Sequence, residues 1–208
     1  AGVPPARRPQ CEYNRRLREC LRHEAIGLLY AKGDLTFMIT ADFHLHSSFS
    51  GDSDTPMEDM VREGIRRGLR TMCFTEHWDP DFPAVDVDFS LDMDAYRSRF
   101  LELREQYASK IDLLFGVEFG MQPHLAGYFQ SFRQSWPFDF IIGSTHLLDG
   151  QDPYYAESRQ GMDDLQLYRR YFDLLLENAR AFRGFQVYGL LDYIVRYGMY
   201  TTQHYSYA

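Results

Sequence analysis

Apolar and polar positions along the chain predict alternating strands and helices from about Leu35 onward. Short apolar runs predict five strands, at residues 35–43, 70–75, 111–117, 138–143 and 185–189. Apolar residues at helical spacing predict helices over 55–69 and 92–109 and a third beginning near Leu165. Strands that alternate with helices indicate a parallel sheet, so the pattern predicts an α/β fold.

Two of the predicted helices carry further signals. In the first, Thr55-Pro56-Met57-Glu58 predicts an N-cap threonine followed by proline at the first helical position. In the second, one stripe is apolar and is expected to face the core; it consists of Met93, Tyr96, Phe100, Leu103 and Tyr107.

Imidazole and carboxylate side chains stand at the ends of successive predicted strands. They are His44 and His46, then Glu76 and His77, then Glu118, then His146. In β/α barrels the chemistry gathers at the carboxyl ends of the strands. The His44-Leu45-His46 spacing puts both imidazoles on one side of a strand, where they can grip a metal ion, although a structural, hydrogen-bonded histidine is the alternative for each.

The mixture of imidazoles and carboxylates suits zinc, manganese or iron rather than calcium or magnesium. Two or more such ions could share a bridging carboxylate. A cluster of this kind activates water and neutralises a phosphate group during an in-line displacement.

Composition restricts the class of function. The 208 residues are 45% hydrophobic, enough for a substantial core, and the net charge of -8 argues against a nucleic-acid partner and for a small substrate. Cys11, Cys20 and Cys73 show no CxxC spacing, so we expect neither a disulfide framework nor a zinc knuckle, but a cytoplasmic protein. No apolar run is long enough to predict a membrane span.

Residues 1–34 differ from the rest, with six arginines and two of the cysteines. We interpret them as an N-terminal extension, either poorly ordered or a basic amphipathic helix with a partner. Residues 35–208 are then the predicted catalytic domain.

Five stretches carry a specific resemblance when they are taken together. They are DFHLHSSFSGDSDTPMEDM, FTEHWD, GVEFGMQPH, FIIGSTHLLDGQDPYY and VYGLLDYIVRYG. Over about residues 38 to 200 they resemble the polymerase and histidinol phosphatase (PHP) family, in its histidinol-phosphatase branch. The resemblance implies a distorted (β/α)7 TIM-like barrel, two to three divalent transition metal ions, and hydrolysis of L-histidinol phosphate in histidine biosynthesis.

The resemblance also implies the roles of individual residues. The implied metal ligands are His44, His46, Asp52, His77, Glu118 and His146. Glu118 would bridge the ion on the two early histidines to an ion on His146, and Asp52 with His77 would hold a third. Glu118 and His146 are therefore predicted to be catalytic.

Five further residues receive alternative interpretations. Arg196 is predicted to bind the substrate phosphate and assist catalysis, or else to be a solvated arginine after a strand. His124 either contacts substrate or begins a helix. Trp78 and the pair Tyr154-Tyr155 could stack on a substrate ring or anchor loops.

The chain departs from the family pattern in three ways. Leu190 stands where Gly-His-Leu-Asp has its histidine, the late Asp-x-His is missing, and five strands replace seven; His204 lacks the expected context. We expect a PHP domain truncated at its C-terminal end, with an incomplete barrel and weak or no turnover. The alternatives are a remnant without turnover and a PHP phosphoesterase for another small phosphomonoester.

Overall fold

A computed structural model describes residues 39–83 and 88–198. Within these residues a five-stranded parallel sheet has the spatial order β1-β2-β3-β4-β5, the same as the chain order. The strands are β1 (Ala41–Leu45), β2 (Thr71–Trp78), β3 (Asp112–Gly120), β4 (Phe140–Ser144) and β5 (Val187–Tyr188). This sequential order is that of a β/α barrel, so the predicted class is confirmed, with five strands among the described residues.

Four α-helices of the described residues accompany the sheet: α1 (Met57–Arg66), α2 (Met93–Tyr107), α3 (Ala126–Ser135) and α4 (Asp164–Ala181). Short 3-10 turns lie at Pro123–Leu125, Ala156–Arg159 and Tyr193–Tyr197. No helix within the described ranges is long and apolar enough to cross a membrane. The predicted extension, residues 1–34, lies outside these ranges.

Several element boundaries differ from the predicted ones. β2 and β3 continue to Trp78 and Gly120, because their ladder pairs every position of β2, so His77 and Glu118 lie inside the sheet, side by side. The predicted threonine cap of α1 is wrong. Pro56 is the N-cap, and the Thr55 carbonyl accepts a hydrogen bond from the Ser48 N–H, which keeps that residue in the preceding loop.

Helix α3 was missed, because its aromatic residues do not give a clean helical stripe. Its Phe129 is buried and stacks on Phe119 of β3 at 4.6 Å. Helix α4 exists as predicted, but Leu165 and Phe172 are exposed and the buried face passes through Tyr171. Asn178 is also buried on that face. Because it is polar, a search for apolar residues at helical spacing does not identify this face as the buried one.

Alternation along β2 assigns its side chains to two faces. Phe74 packs in the core with α1 and α2, together with Phe115 of β3. The Tyr96 hydroxyl of α2 donates to the carbonyls of Phe74 and Gly116, which ties that helix to both strands. Residues of odd number, such as His77, face the opposite side, and the candidate site lies there.

Candidate metal centre

The two histidines of the first strand converge on one buried carboxylate. The β1–β2 register is irregular between Asp42 and Leu45, and the His44 N–H donates to Asp42 Oδ1 at 3.1 Å. Such a bulge redirects side chains near functional sites. His44 Nε2 lies 3.0 Å and His46 Nε2 3.2 Å from Glu118 Oε2, so the first predicted ligand set is assembled.

Glu118 has its two oxygens aimed at different partners. Its side chain is fully buried, Oε2 faces His44 and His46, and Oε1 lies 3.2 Å from His146 Nε2 and accepts from Ser144 Oγ at 2.6 Å. Burial alone would raise the pKa of this carboxyl, but the charges of nearby histidines hold it well below its ordinary value. This geometry is that of a carboxylate able to bridge two cations.

Asp52 and His77 meet although 25 positions separate them in sequence. His77 Nε2 lies 3.6 Å from Asp52 Oδ2, and the His77 ring stacks on His46 at 4.3 Å between centroids. Burial alone would raise the pKa of Asp52, but its hydrogen bond to His77 lowers it overall. These three side chains form a second group that is able to hold a metal ion.

Asp79 is a member of the candidate site that the sequence did not predict. Its Oδ1 lies 2.6 Å from His146 Nδ1 and its Oδ2 lies 3.2 Å from His77 Nδ1. Burial would raise the pKa of Asp79, but the charges of His146 and His77 and their hydrogen bonds together lower it to about 2. Burial would likewise lower the pKa of His146, yet Asp79 and Glu118 raise it to about 9.

A carboxylate on Nδ1 leaves the Nε2 atom of each ring to face the site. Asp79 therefore orients both His77 and His146 toward their neighbours. A sequence signal existed, because Asp79 follows His77 by two positions in the FTEHWD stretch. The close approach also depends on Gly120, where a Cβ would stand 1.9 Å from Asp79 Oδ1.

His146 lies in the loop after β4, which helix α4 holds in place. The Tyr171 hydroxyl donates to the Thr145 carbonyl at 2.8 Å, and Asn178 Nδ2 donates to Thr145 Oγ1 at 2.8 Å. The Tyr188 hydroxyl of β5 contacts the same Oγ1 at 2.7 Å. These bonds fix the residue next to His146.

Taken together, the donor atoms fit a cluster of divalent ions. The three groups are His44, His46 and Glu118; His46, Asp52 and His77; and His77, Asp79 and His146, each with donor atoms within 4.8 Å of one another. Consecutive groups share a histidine. Carboxylates buried this closely need compensating positive charge, and an imidazole and carboxylate set suits zinc, manganese or iron.

Glu76, predicted beside His77 at the site, lies elsewhere. Adjacent residues of a strand point to opposite faces, so its fully buried carboxylate turns away from the metal groups. It accepts hydrogen bonds from Ser47 and Ser50 in the loop after β1. Its place in the predicted ligand pattern is therefore corrected.

The two predicted substrate-binding residues, Arg196 and His124, lie outside the metal groups. Arg196 lies in the last 3-10 turn with its guanidinium 5.3 Å over the Tyr193 ring, which is itself 6.1 Å from the His146 ring. His124 is exposed in the turn after β3 and pairs with Asp81 at 3.2 Å. Arg196 therefore lies near the metal groups through Tyr193, whereas His124 pairs with an exposed loop residue.

The aromatic candidates divide in the same way. Trp78 lies within β2, on the helix side, and stacks on Phe132 of α3 at 4.8 Å, so it packs against a helix and does not lie in a loop. Tyr154 and Tyr155 pack edge to face at 5.2 Å in the loop after β4. His204 lies outside the described residues.

The segment after β5 approaches Glu118. A Cβ on Gly189 would lie 3.8 Å from Glu118 Oε1, and the next residue, Leu190, has a left-handed φ of 53°. The Leu190 carbonyl accepts from the Tyr171 hydroxyl at 3.0 Å. The departure from the family pattern therefore falls directly at the edge of the site.

The sheet order and the clustered donors together define a metal-binding α/β domain. Residues 42–208 match the PHP domain, and the chain belongs to that family. It is similar to the histidinol-phosphatase of Lactococcus lactis, with 34% identity over 80% of this chain and 62% of the relative. A "probable histidinol-phosphatase" of Clostridium acetobutylicum is 32% identical over 76% of this chain and 60% of that relative.

A solved structure is similar as well. It is a crystal structure of histidinol phosphate phosphatase from Lactococcus lactis complexed with zinc, L-histidinol and phosphate. The TM-score is 0.75 at 33% identity, and the match covers 80% of this chain and 63% of that one. The chain thus spans somewhat less than two thirds of the length of these relatives.

Proposed function

We propose that this PHP domain is a metal-dependent phosphomonoesterase that hydrolyses L-histidinol phosphate to L-histidinol and phosphate. The observation that carries the proposal is Glu118, whose two oxygens face separate sets of histidines within 3.2 Å. The similarity to the zinc, histidinol and phosphate complex of the Lactococcus lactis enzyme supports the substrate. The free thiol of Cys73 is consistent with the cytoplasmic location that we also propose.

Two to three ions of zinc, manganese or iron would lower the pKa of a water molecule and neutralise the negative charge that grows on the phosphate group. The residues that hold them would be His44, His46, Asp52, His77, Glu118 and His146. In this assignment Glu118 would bridge two of the ions, and Asp79 orients the imidazoles of His77 and His146 through their Nδ1 atoms.

The reaction adds a water oxygen to phosphorus and breaks the phosphorus–oxygen ester bond. The product alcohol takes up one proton as it leaves. His44 and Asp52 are the more exposed members of the groups, with side chains 35% and 30% exposed, so the open side of the site lies there. Substrate would enter over them while the buried Glu118 and His146 stay fixed below.

Arg196 is proposed to bind the phosphate group through its guanidinium. A planar guanidinium forms two parallel hydrogen bonds to phosphate oxygens. Its stacking on Tyr193, which neighbours His146, supports a position at the rim of the site. His124 is proposed as a more distant substrate contact.

Phosphate release by chelator-treated chain, with zinc or manganese restored, tests the proposal. The substrates are L-histidinol phosphate and, as a matched alkyl monoester with an amine but without imidazole, O-phosphoethanolamine. We expect metal-dependent release that favours histidinol phosphate, at a low rate because Leu190 replaces a ligand that the resemblance implies.

Two outcomes would contradict the proposal. Equal rates on both esters would favour a PHP phosphoesterase for another phosphomonoester. A chain that holds its metal ions but releases no phosphate would be a non-catalytic member of the fold, the candidate that Leu190 favours.

A further inference from the structure

Behind the metal groups, a second carboxylate is joined to His46 through one hydroxyl. Glu76 is fully buried on the other face of β2 from His77. Its Oε2 accepts the Ser50 hydroxyl at 2.6 Å, and Ser50 Oγ lies 3.2 Å from His46 Nδ1. Ser50 is itself buried, with only 3% of its surface exposed.

The donors and acceptors of this hydroxyl can be counted completely. A serine hydroxyl has one proton to donate and two lone pairs. The proton goes to Glu76 Oε2, because that carboxylate only accepts, and one lone pair accepts the backbone N–H of His77 at 2.9 Å. The remaining lone pair faces His46 Nδ1, which must therefore carry the proton.

A neutral imidazole with its proton on Nδ1 has its lone pair on Nε2. His46 Nε2 is the atom that lies 3.2 Å from Glu118 Oε2, within the first metal group. We propose that Glu76 and Ser50 are positioning residues that fix His46 in the tautomer that binds metal through Nε2. The inference rests on the proposed metal site and adds two residues that do not touch the ions.

Glu76 is held for this role by a second serine. The Ser47 N–H donates to Glu76 Oε2 at 2.9 Å and the Ser47 hydroxyl donates to Oε1 at 2.5 Å. Ser47 has no contact with His46 among the bonds of this network. Replacing Ser47 therefore serves as a control. It removes one serine hydroxyl that donates to Glu76, as the Ser50 variant does, but it leaves the hydrogen bond to the His46 imidazole in place.

Three variants separate positioning from simple packing. Ser50→Ala removes the link, and Ser47→Ala removes the matched hydroxyl. Glu76→Gln keeps the shape but lets its amide N–H donate to Ser50 Oγ, which frees the serine proton for His46 Nδ1 and favours the wrong tautomer.

The readouts are zinc affinity, by competition with a chelating indicator, and the ¹⁵N NMR signals of His46 in the zinc-loaded protein. Thermal unfolding of the metal-free proteins checks folding. We expect Ser50→Ala and Glu76→Gln to weaken zinc binding about 10 to 100-fold, the usual effect of losing a group behind a ligand. Ser47→Ala should lower thermal stability but keep the affinity and the protonated Nδ1 signal.

Equal losses of affinity in both serine variants would overturn the inference, because the network would then act only through stability. Unchanged affinity in Ser50→Ala and Glu76→Gln would overturn it while the proposed function stands. If the unaltered chain binds no zinc, the proposed function and the inference both fail.

Discussion

The interior of the sheet, at β2 and β3, and its β5 edge differ in how completely they are built. β2 pairs with β3 along its whole length, and the ends of these strands carry His77 and Glu118 in register. β5 pairs with β4 only at Val187 and Tyr188, and it is followed by Leu190 in a left-handed conformation. Metal-ligand geometry needs rigid support. The paired strands β2 and β3 supply that support, whereas the departure from the family pattern lies just after β5.

Glu118→Gln should have the largest effect, because it removes the charge from the carboxylate that lies between the two early histidines and His146. We expect metal affinity and phosphate release to fall by at least about 100-fold, more than the usual loss from a supporting group. Elemental analysis after dialysis and the phosphate assay measure this. Glu102→Gln makes the same chemical change on exposed α2 and should have no effect. Full metal content in the Glu118 variant would show that Glu118 does not bridge two metal ions.

Gly120→Ala should have the next largest effect. The new methyl carbon would stand 1.9 Å from Asp79 Oδ1, so this carboxylate must move away from His146. We expect one metal ion to be held about 10 to 100-fold more weakly while the ion on His44 and His46 stays. Gly127→Ala on α3, where a Cβ meets no atom within 4 Å, is the matched control.

The contrary result for Gly120→Ala is also informative. Affinity unchanged at every metal position would show that Asp79 does not orient the histidines. A crystal structure or metal titration that resolves the separate ions distinguishes the two cases.

Leu190→His should strengthen metal binding at the site beside β5. Histidine adopts a left-handed φ more readily than leucine, and it restores the ligand that the resemblance implies. We expect about 10-fold tighter binding of one metal ion and faster phosphate release. Leu190→Asn relieves the same backbone strain without an imidazole, so equal gains in both variants would assign the effect to strain.

Labelling of Cys73 tests whether β2 stays closed, and it has the smallest expected effect on function. Burial, reinforced by Asp139 and Asp42, raises the pKa of its thiol to about 12, so at pH 8 roughly one thiol in ten thousand is ionised. We expect iodoacetamide to leave this residue unlabelled in the folded protein and activity unchanged, as peptide mass spectrometry can check. Rapid labelling before unfolding in urea would show that β2 opens.

The sequence alone was sufficient where local rules coincide with the fold. Strand and helix alternation predicted the parallel sheet, and the His44-Leu45-His46 spacing led to a real convergence on Glu118. Asp52 and His77 could be joined only through the resemblance, because 25 intervening positions give no local signal. The roles of all these residues as ligands remain predictions.

The rest depended on tertiary contacts. Face alternation along β2 separates Glu76 from its neighbour His77. The strand ends three residues later than predicted, so the pattern did not show which face each side chain takes. Asp79 acquires its role from His146, 67 positions away. Helix α3 is stabilised by packing of Phe129 on Phe119 rather than by its own periodicity.

The most direct test is the number of metal ions per chain. Chelator-treated protein is reconstituted with zinc or manganese, dialysed, and compared with His46→Ala by elemental analysis. We expect two to three ions in the unaltered chain. The His46 variant should lose the ion that His44, His46 and Glu118 would hold together. A chain that retains no ion, or the same number with and without His46, would contradict the metal centre.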